Sequence, residues 1–176
     1  MNTKIHPLQI GFNALGFQSA WWLSVLGIVV GHPWLGPLAM TFYLVADHIS
    51  LNKRSAETVT ILSAAAIGTI ADSIMSNLGL IAYAGGYASL PQLAPLWITA
   101  MWAGFAATLG YSLSWLKPRL WAAILLGAIF GPLSYLAGQK FGALELVSEW
   151  SIPALVIFWG LAVPGLVKLH DMIRGE

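Results

Sequence analysis

The sequence contains no cysteine and few charged residues, and these shortages exclude several classes of protein. Without cysteine the chain has no disulfides, thiolate metal ligands or cysteine nucleophiles. Charged side chains make up 9% of its 176 residues and hydrophobic ones 58%, so it lacks the polar material that covers a water-soluble globule. The net charge of +1 offers no basic surface, so no nucleic-acid partner is predicted. The composition instead predicts a protein surrounded by membrane lipid.

Long hydrophobic runs separated by turn residues predict an all-α, polytopic membrane helix bundle, with residues 1–176 forming a single integral membrane domain. A helix needs about 20 apolar residues to cross the hydrocarbon core. We therefore predict six transmembrane helices, near residues 8–30, 34–51, 58–84, 96–116, 119–139 and 152–169. Between the last two, the spacing of Phe141, Leu144 and Val147 predicts a short interfacial helix near 141–150, with a plain loop as the alternative.

The basic residues predict that both termini lie in the cytoplasm. In the six-span arrangement, only Lys140 falls on the far side, and the near side receives Lys4, Lys53, Arg54, Lys117, Arg119, Lys168 and Arg174. Cytoplasmic loops carry the excess of Lys and Arg, which gives this orientation. Most tryptophans lie near span ends and are predicted to be interfacial anchors rather than ligand-stacking platforms: Trp21, Trp22, Trp34, Trp97, Trp115, Trp121 and Trp150.

Stripes of small residues predict which helix faces contact protein, because membrane helices associate through close backbone packing. Such stripes include Asn13, Gly16, Ala20, Ser24, Gly27 and Gly31 in the first span and Ala123, Gly127, Gly131, Ser134 and Gly138 in the fifth. These stripes could also join a second copy or a membrane partner. Gly127 with Gly131 matches a helix-dimer motif, with an interior helix bent at Pro132 as the equal alternative. In the third span a ridge of bulky residues opposite Asp72 should face lipid: Ile67, Ile70, Ile74, Leu78 and Ile81. The sixth span is predicted to be peripheral.

Ionisable residues inside a span are costly and are therefore site candidates. Three are present: Asp47, His48 and Asp72. Our functional interpretation is an interior ligand-binding site in which the two carboxylates hold a cation, a proton or a positive group. Its proposed residues are Asp72, Asp47, His48, Asn13, Tyr43 and Ser76.

Simpler interpretations stay open for each of these residues. Asp47 could pair with Lys53 or Arg54 near the interface, and Asp72 could be neutral and bonded to Ser or Asn side chains. A metal site is disfavoured because the adjacent Asp47 and His48 point about 100° apart on a helix. No cofactor is predicted. A hydrolase could use Ser73 or Ser134 with His48, but serine in membrane helices is usually packing material.

Four short blocks carry a resemblance to a known family. They are residues 33–38 (PWLGPL), Asp72-Ser73, residues 94–97 (APLW) and residues 125–138, where LLGA leads into GPLSYLAG. They are similar to bacterial inner-membrane proteins grouped as domain of unknown function 2878, over nearly the full length. The resemblance implies a bacterial inner-membrane location and a stand-alone domain, and it supplies no activity. Family members often have Asn-His where this chain has Gly110-Tyr111.

Three functions are compatible with these residues. The first is binding or transport of a small or lipid-like ligand, in a cavity among the first five spans lined by Asp72, Asn13, Tyr43 and tryptophans. The second is an enzyme, or an accessory to one, that acts on a lipid or another hydrophobic substrate. The third is a structural or assembly protein that associates through its small-residue stripes. Binding or transport is the preferred interpretation because Asp72 is placed deep in its span.

Overall fold

The computed structural model describes residues 6–51 and 55–175, and all its long elements are helices. The helices are α1 Pro7–Val29, α2 Leu35–Ser50, α3 Ser55–Asn77, α4 Leu96–Thr108, α5 Leu120–Phe141 and α6 Ser151–Arg174. Two short strands, β1 Ile81–Tyr83 and β2 Leu144–Leu146, and a 3₁₀ turn at Ser114–Leu116 complete the described elements. The predicted all-α class is confirmed.

Within the described residues, four helices are long and apolar enough to cross a membrane: α1, α3, α5 and α6. This is the composition of a membrane protein. α2 has 16 residues and α4 has 13. The prediction of a fourth helix over 96–116 is too long, because α4 ends at Thr108 and the chain continues in turns.

Local sequence explains where several helices begin and end. At the start of α1, the His6 imidazole accepts from the backbone N–H of Leu8, Gln9 caps the N–H of His6, and Pro7 occupies the first turn. α3 and α5 are each followed by a glycine with positive φ, Gly79 at 70° and Gly142 at 82°. Such glycines end helices because other residues rarely adopt that conformation.

Consecutive helices pack side by side as the pairs α1–α2, α3–α4 and α5–α6, and α4 also packs against α1 and α2. The start of α3 and the end of α6 meet through Glu57 and Arg174, 2.5 Å apart. Lys117, before α5, pairs with Asp171 at 2.7 Å. We call this side of the bundle the terminal end, and the side that carries β1 and β2 the strand end.

β1 and β2 form an antiparallel pair in which Ile81 faces Leu146 and Tyr83 faces Leu144. The expectation of an interfacial helix over 141–150 is therefore wrong. The helix predicted over 58–84 is also too long, because α3 ends at Asn77 and Ile81 belongs to β1. The physical reason is that Leu144 and Leu146 find their partners in a strand some 60 residues away, and helical periodicity cannot reveal such pairing.

The faces of the helices agree with the small-residue analysis. Asp72 is 0% exposed, and the bulky ridge on the other side of α3 is exposed at Ile67, Ile70, Ile74 and Leu78. Ile81 is the exception: it is 1% exposed because it lies in β1 under the bundle. Asn13, Ala20, Ser24 and Gly27 of α1 are buried, as are Ala123, Gly127, Gly131 and Gly138 of α5.

α6 is not peripheral, which corrects the prediction from the sequence. Leu155, Val163, Leu166 and Val167 of α6 belong to the main core. A Cβ at Gly127 would lie 2.2 Å from the Trp159 carbonyl oxygen, and one at Gly131 would lie 2.2 Å from Trp159 Cγ. The two glycines of the dimer motif therefore hold α6 of the same chain.

We predict that Gly127→Ala destabilises the protein by about 1–3 kcal/mol, because the added methyl meets backbone that cannot rotate away. Gly11→Ala is the matched control, since a Cβ there has nothing within 4 Å. The control should unfold at the wild-type temperature or slightly above it. Thermal unfolding in a mild detergent measures both, and equal midpoints for the two variants would contradict the packing described for α5 and α6.

Candidate functional site

Asp72 is the centre of a buried polar cluster. Its Oδ1 accepts hydrogen bonds from the hydroxyls of Tyr83, at 2.5 Å, and Tyr135, at 2.6 Å. Its Oδ2 accepts from Trp102 Nε1 at 2.5 Å. The three donors come from β1, α5 and α4, while Asp72 itself lies on α3. One carboxyl group therefore connects four elements of the fold.

The donors reach Asp72 because the local structure aims them there. The chain reverses direction after Gly79, and β1 then brings Tyr83 close to the last turns of α3. Trp97 Nε1 donates to the Ala84 carbonyl at 3.0 Å and holds the segment after β1 in place. Burial raises the pKa of the Tyr83 hydroxyl well above its ordinary value, and the neighbouring Tyr135 and Asp72 act in the same direction. Tyr83 therefore keeps its proton and remains a donor.

A second buried polar cluster is centred on Asn13. Its Nδ2 donates to Tyr43 Oη and Asp47 Oδ1, both at 3.0 Å, and to the Ala107 carbonyl at 3.1 Å. Its Oδ1 accepts from the Ser112 hydroxyl at 2.7 Å. This cluster connects α1, α2 and the end of α4, near the terminal end.

The structure does not bring all six proposed site residues together. Asn13, Tyr43 and Asp47 share the second cluster. Asp47 lies one turn from the end of α2 at the terminal end, whereas Asp72 is 17 positions along α3 from that end. At 1.5 Å per residue the two carboxylates are separated by about 20 Å along the bundle, so one small ion cannot contact both.

The other two residues lie apart from both carboxyl groups. His48 is exposed on the outer face of α2, beside Thr41 and Thr58. Ser76 is half-buried, one turn beyond Asp72 on α3. Among the residues that the structure describes, no group of three His, Asp or Glu is placed to hold a metal ion.

A cavity in the described bundle lies beside the Asp72 cluster. It has a volume of about 590 Å³, within the range of small-molecule sites. We call it the aromatic groove, because its walls include Phe17, Trp21, Trp22, Trp97, Trp102 and Trp159. Trp102 and Tyr135 form the part of the wall that separates it from Asp72.

The groove opens sideways between α1 and α5. The lining residues with exposed side chains lie on these two helices and include Trp22, Phe130 and Leu133, which are 40%, 61% and 49% exposed. α4 and α6 form its floor. Trp97 and Trp102, both on α4, are buried there. Because the surrounding surface is apolar, the opening faces the region where lipid chains would lie.

Trp102 and Trp159 stack on the floor of the groove, with ring centroids 4.6 Å apart and planes 3° from parallel. Both lie inside predicted spans, the fourth (96–116) and the sixth (152–169). For Trp102 that position was the signal available in the sequence, because an indole N–H inside a hydrophobic run needs an acceptor. The interfacial-anchor prediction is wrong for Trp97, which is 1% exposed.

Tyr83, Trp102 and Tyr135 were not predicted from the sequence as partners of Asp72. The alternative interpretation of Asp72 named Ser or Asn side chains, which are nearby in sequence. Ser73 and Asn77 instead bind backbone: Ser73 Oγ accepts from the Ala94 N–H at 2.9 Å, and Asn77 Nδ2 donates to the Gln92 carbonyl at 2.8 Å.

We predict that Asp72→Asn lowers the thermal stability of the protein substantially. The amide has one acceptor oxygen, so its NH₂ must face either Trp102 N–H or the two tyrosine hydroxyls. An unsatisfied buried group costs about 1–3 kcal/mol. Asp171→Asn is the control, because the Asp171–Lys117 pair is partly exposed and should contribute less than about 1 kcal/mol. Similar melting temperatures for both variants in detergent would contradict the structural role of Asp72.

Comparisons with known proteins identify a family and no activity. The model of the family described as "Protein of unknown function (DUF2878)" matches residues 10–165, which include both polar clusters and every lining residue of the groove. No curated protein and no solved structure matches the chain. The match covers most of the sequence, so the chain belongs to this family of unknown function, as the resemblance indicated.

Proposed function

We propose that the protein crosses a bacterial inner membrane six times, with both termini in the cytoplasm, and binds a hydrophobic, lipid-like ligand in the aromatic groove. The side-by-side packing of α1 with α2, α3 with α4 and α5 with α6 supports six crossings. Lys117 and Arg174, which form ion pairs at the terminal end, support the orientation. α2 and α4 are short for a crossing, but α4 is largely covered by other helices and need not match the lipid thickness alone.

The observation that carries the binding proposal is the groove itself. It is an elongated, apolar cavity of about 590 Å³ with an opening toward the lipid-facing surface. A hydrophobic molecule could enter from the membrane without passing through water. Aromatic walls favour such a ligand because large rings provide broad apolar contact at little cost in side-chain entropy.

The chemistry of the groove favours an apolar ligand over an ion. Asp72 lies behind Trp102 and Tyr135, and its two oxygens already accept three hydrogen bonds. An ion in the groove would have to displace these donors. We therefore place the ligand in front of the Asp72 cluster, which acts as the rigid support of the groove wall.

Binding is also favoured over the two alternatives. A hydrolase would need His48 near Ser134, but Ser134 lines the groove while His48 is on the outer face of α2. An assembly protein would use the stripe of α5, yet Gly127 and Gly131 contact Trp159 of α6. A purely structural bundle would be closely packed throughout, whereas this one has an open groove.

The proposed orientation can be tested with single cysteines, because the natural chain has none. We expect a membrane-impermeant maleimide to label Glu149→Cys in spheroplasts, and to label Arg119→Cys only after the membrane is permeabilised. Both side chains are exposed, so access depends on the side of the membrane. Equal labelling of both variants in sealed spheroplasts would contradict the proposed topology.

The proposed binding can be tested with a variant that fills the groove. Ala137→Phe adds a ring to a lining position, and Leu136→Phe adds a similar ring at the neighbouring position, which is outside the groove and 40% exposed. We expect a sixteen-carbon alcohol with a photoreactive diazirine to cross-link to the purified wild-type protein. An excess of hexadecanol should suppress this cross-linking.

Ala137→Phe should reduce the competed fraction of cross-linking at least fivefold, and Leu136→Phe should leave it unchanged. Ser134→Phe provides a second filled groove in case the first variant does not fold. If hexadecanol never suppresses cross-linking of the wild type, the groove is not a saturable site and the proposal fails.

A further inference from the structure

Gln18 lies at the midpoint of α1, with eleven helical residues on either side between Pro7 and Val29. Each end of the helix is therefore about 16 Å away along the axis. A glutamine side chain is too short to reach either membrane surface from this depth. Gln18 is one of the lining residues of the aromatic groove, and it is exposed where α1 borders the opening.

The Gln18 carboxamide makes no hydrogen bond to any residue in 6–51 or 55–175. Asn13, on the same helix, contrasts with it, because its amide bonds to Tyr43, Asp47, Ala107 and Ser112. In hydrocarbon an amide without a partner costs several kcal/mol. A ligand in the groove would supply the partner that the protein does not.

The groove is long as well as apolar. Along α5 its wall runs from Leu126 to Gly138, which is about 18 Å of helix rise. It extends to Leu116 toward the terminal end and to Leu144 toward the strand end. A cavity of this shape, parallel to the helices, fits an extended hydrocarbon chain lying as the surrounding lipid chains lie.

No lining residue of the groove carries a charge within the part of the chain that the structure describes. A phosphate, carboxylate or ammonium group would find no opposite charge there and would lose its hydration. The ligand group that meets Gln18 should therefore be neutral. A carboxamide both donates and accepts, so it can bond a hydroxyl or a carbonyl.

We infer that Gln18 recognises a neutral oxygen-containing group, a hydroxyl or a carbonyl, on a long hydrophobic ligand bound in the aromatic groove. This inference rests on the proposed function and narrows its ligand class. The aromatic walls bind the chain, and the carboxamide selects oxygenated chains over plain hydrocarbon. Ligands with a charged group at this depth are excluded by the neutral lining.

The test compares two competitors, hexadecanol and hexadecane, in the cross-linking assay with the diazirine alcohol in lipid nanodiscs. For the wild-type protein, hexadecanol should compete roughly tenfold better than hexadecane, the effect of one hydrogen bond made away from water. Gln18→Leu should reduce this ratio roughly tenfold relative to the wild type, while hexadecane still competes. Comparing ratios between variants cancels the different partitioning of the two competitors into lipid.

Ser19→Leu is the matched control, because Ser19 is the next residue of α1, is exposed and lies outside the groove. It should keep the wild-type ratio. Gln18→Asn keeps the amide on a shorter side chain and should retain part of the preference. If Gln18→Leu fails to fold, Gln18→Asn replaces it in the test, and its ratio of hexadecanol to hexadecane competition should be at least twofold below that of the wild type.

Two results would overturn the inference. If the ratio for Gln18→Leu equals the wild-type ratio, Gln18 recognises no oxygen, although saturable binding would still support the proposed function. If Gln18→Leu keeps the preference but converts a dimer into a monomer, as measured by mass photometry, Gln18 bonds to a second copy instead. Absence of any competition by either compound would refute the proposed function itself.

Discussion

The fold depends on the carboxyl group of Asp72 and its three hydrogen-bond donors. In a low-dielectric interior a polar group is stable only when it is fully bonded. Asp72 meets that condition only if β1, α4 and α5 all deliver a side chain to α3, through Tyr83, Trp102 and Tyr135. Because four elements must converge for one group to be satisfied, the cluster selects one arrangement of the bundle.

The aromatic groove follows from this arrangement. Trp102 donates its indole N–H to Asp72 while its ring stacks on Trp159, so the same residue completes the polar cluster and forms the floor of the groove. Trp159 can reach that position because Gly127 and Gly131 leave no side chain in its way. A rigid polar support behind an apolar surface is a recurring way to hold a binding wall in place.

Several features could be predicted from single helices, because a helix repeats every 3.6 residues and shows its two faces locally. The inward placement of Asp72 and the outward ridge from Ile67 to Leu78 are of this kind. The partners of Asp72 could not be predicted this way, since Tyr135 is 63 residues away in the chain. The role of α6 was missed for the same reason. Its contacts with α5 depend on glycines of α5, and the pattern of these glycines does not indicate which helix packs against them.

By itself, the sequence determined the apolar composition typical of a membrane protein, the helical class, the small-residue faces and the presence of a deep carboxyl group. These properties follow from composition and from spacing within one helix, and both act over a few turns of chain. Only the tertiary structure decided which donors satisfy Asp72, that β1 pairs with β2, and that α1, α4, α5 and α6 enclose a groove beside Gln18. Those outcomes depend on side chains far apart in sequence meeting in space, and no local pattern encodes which of them will meet.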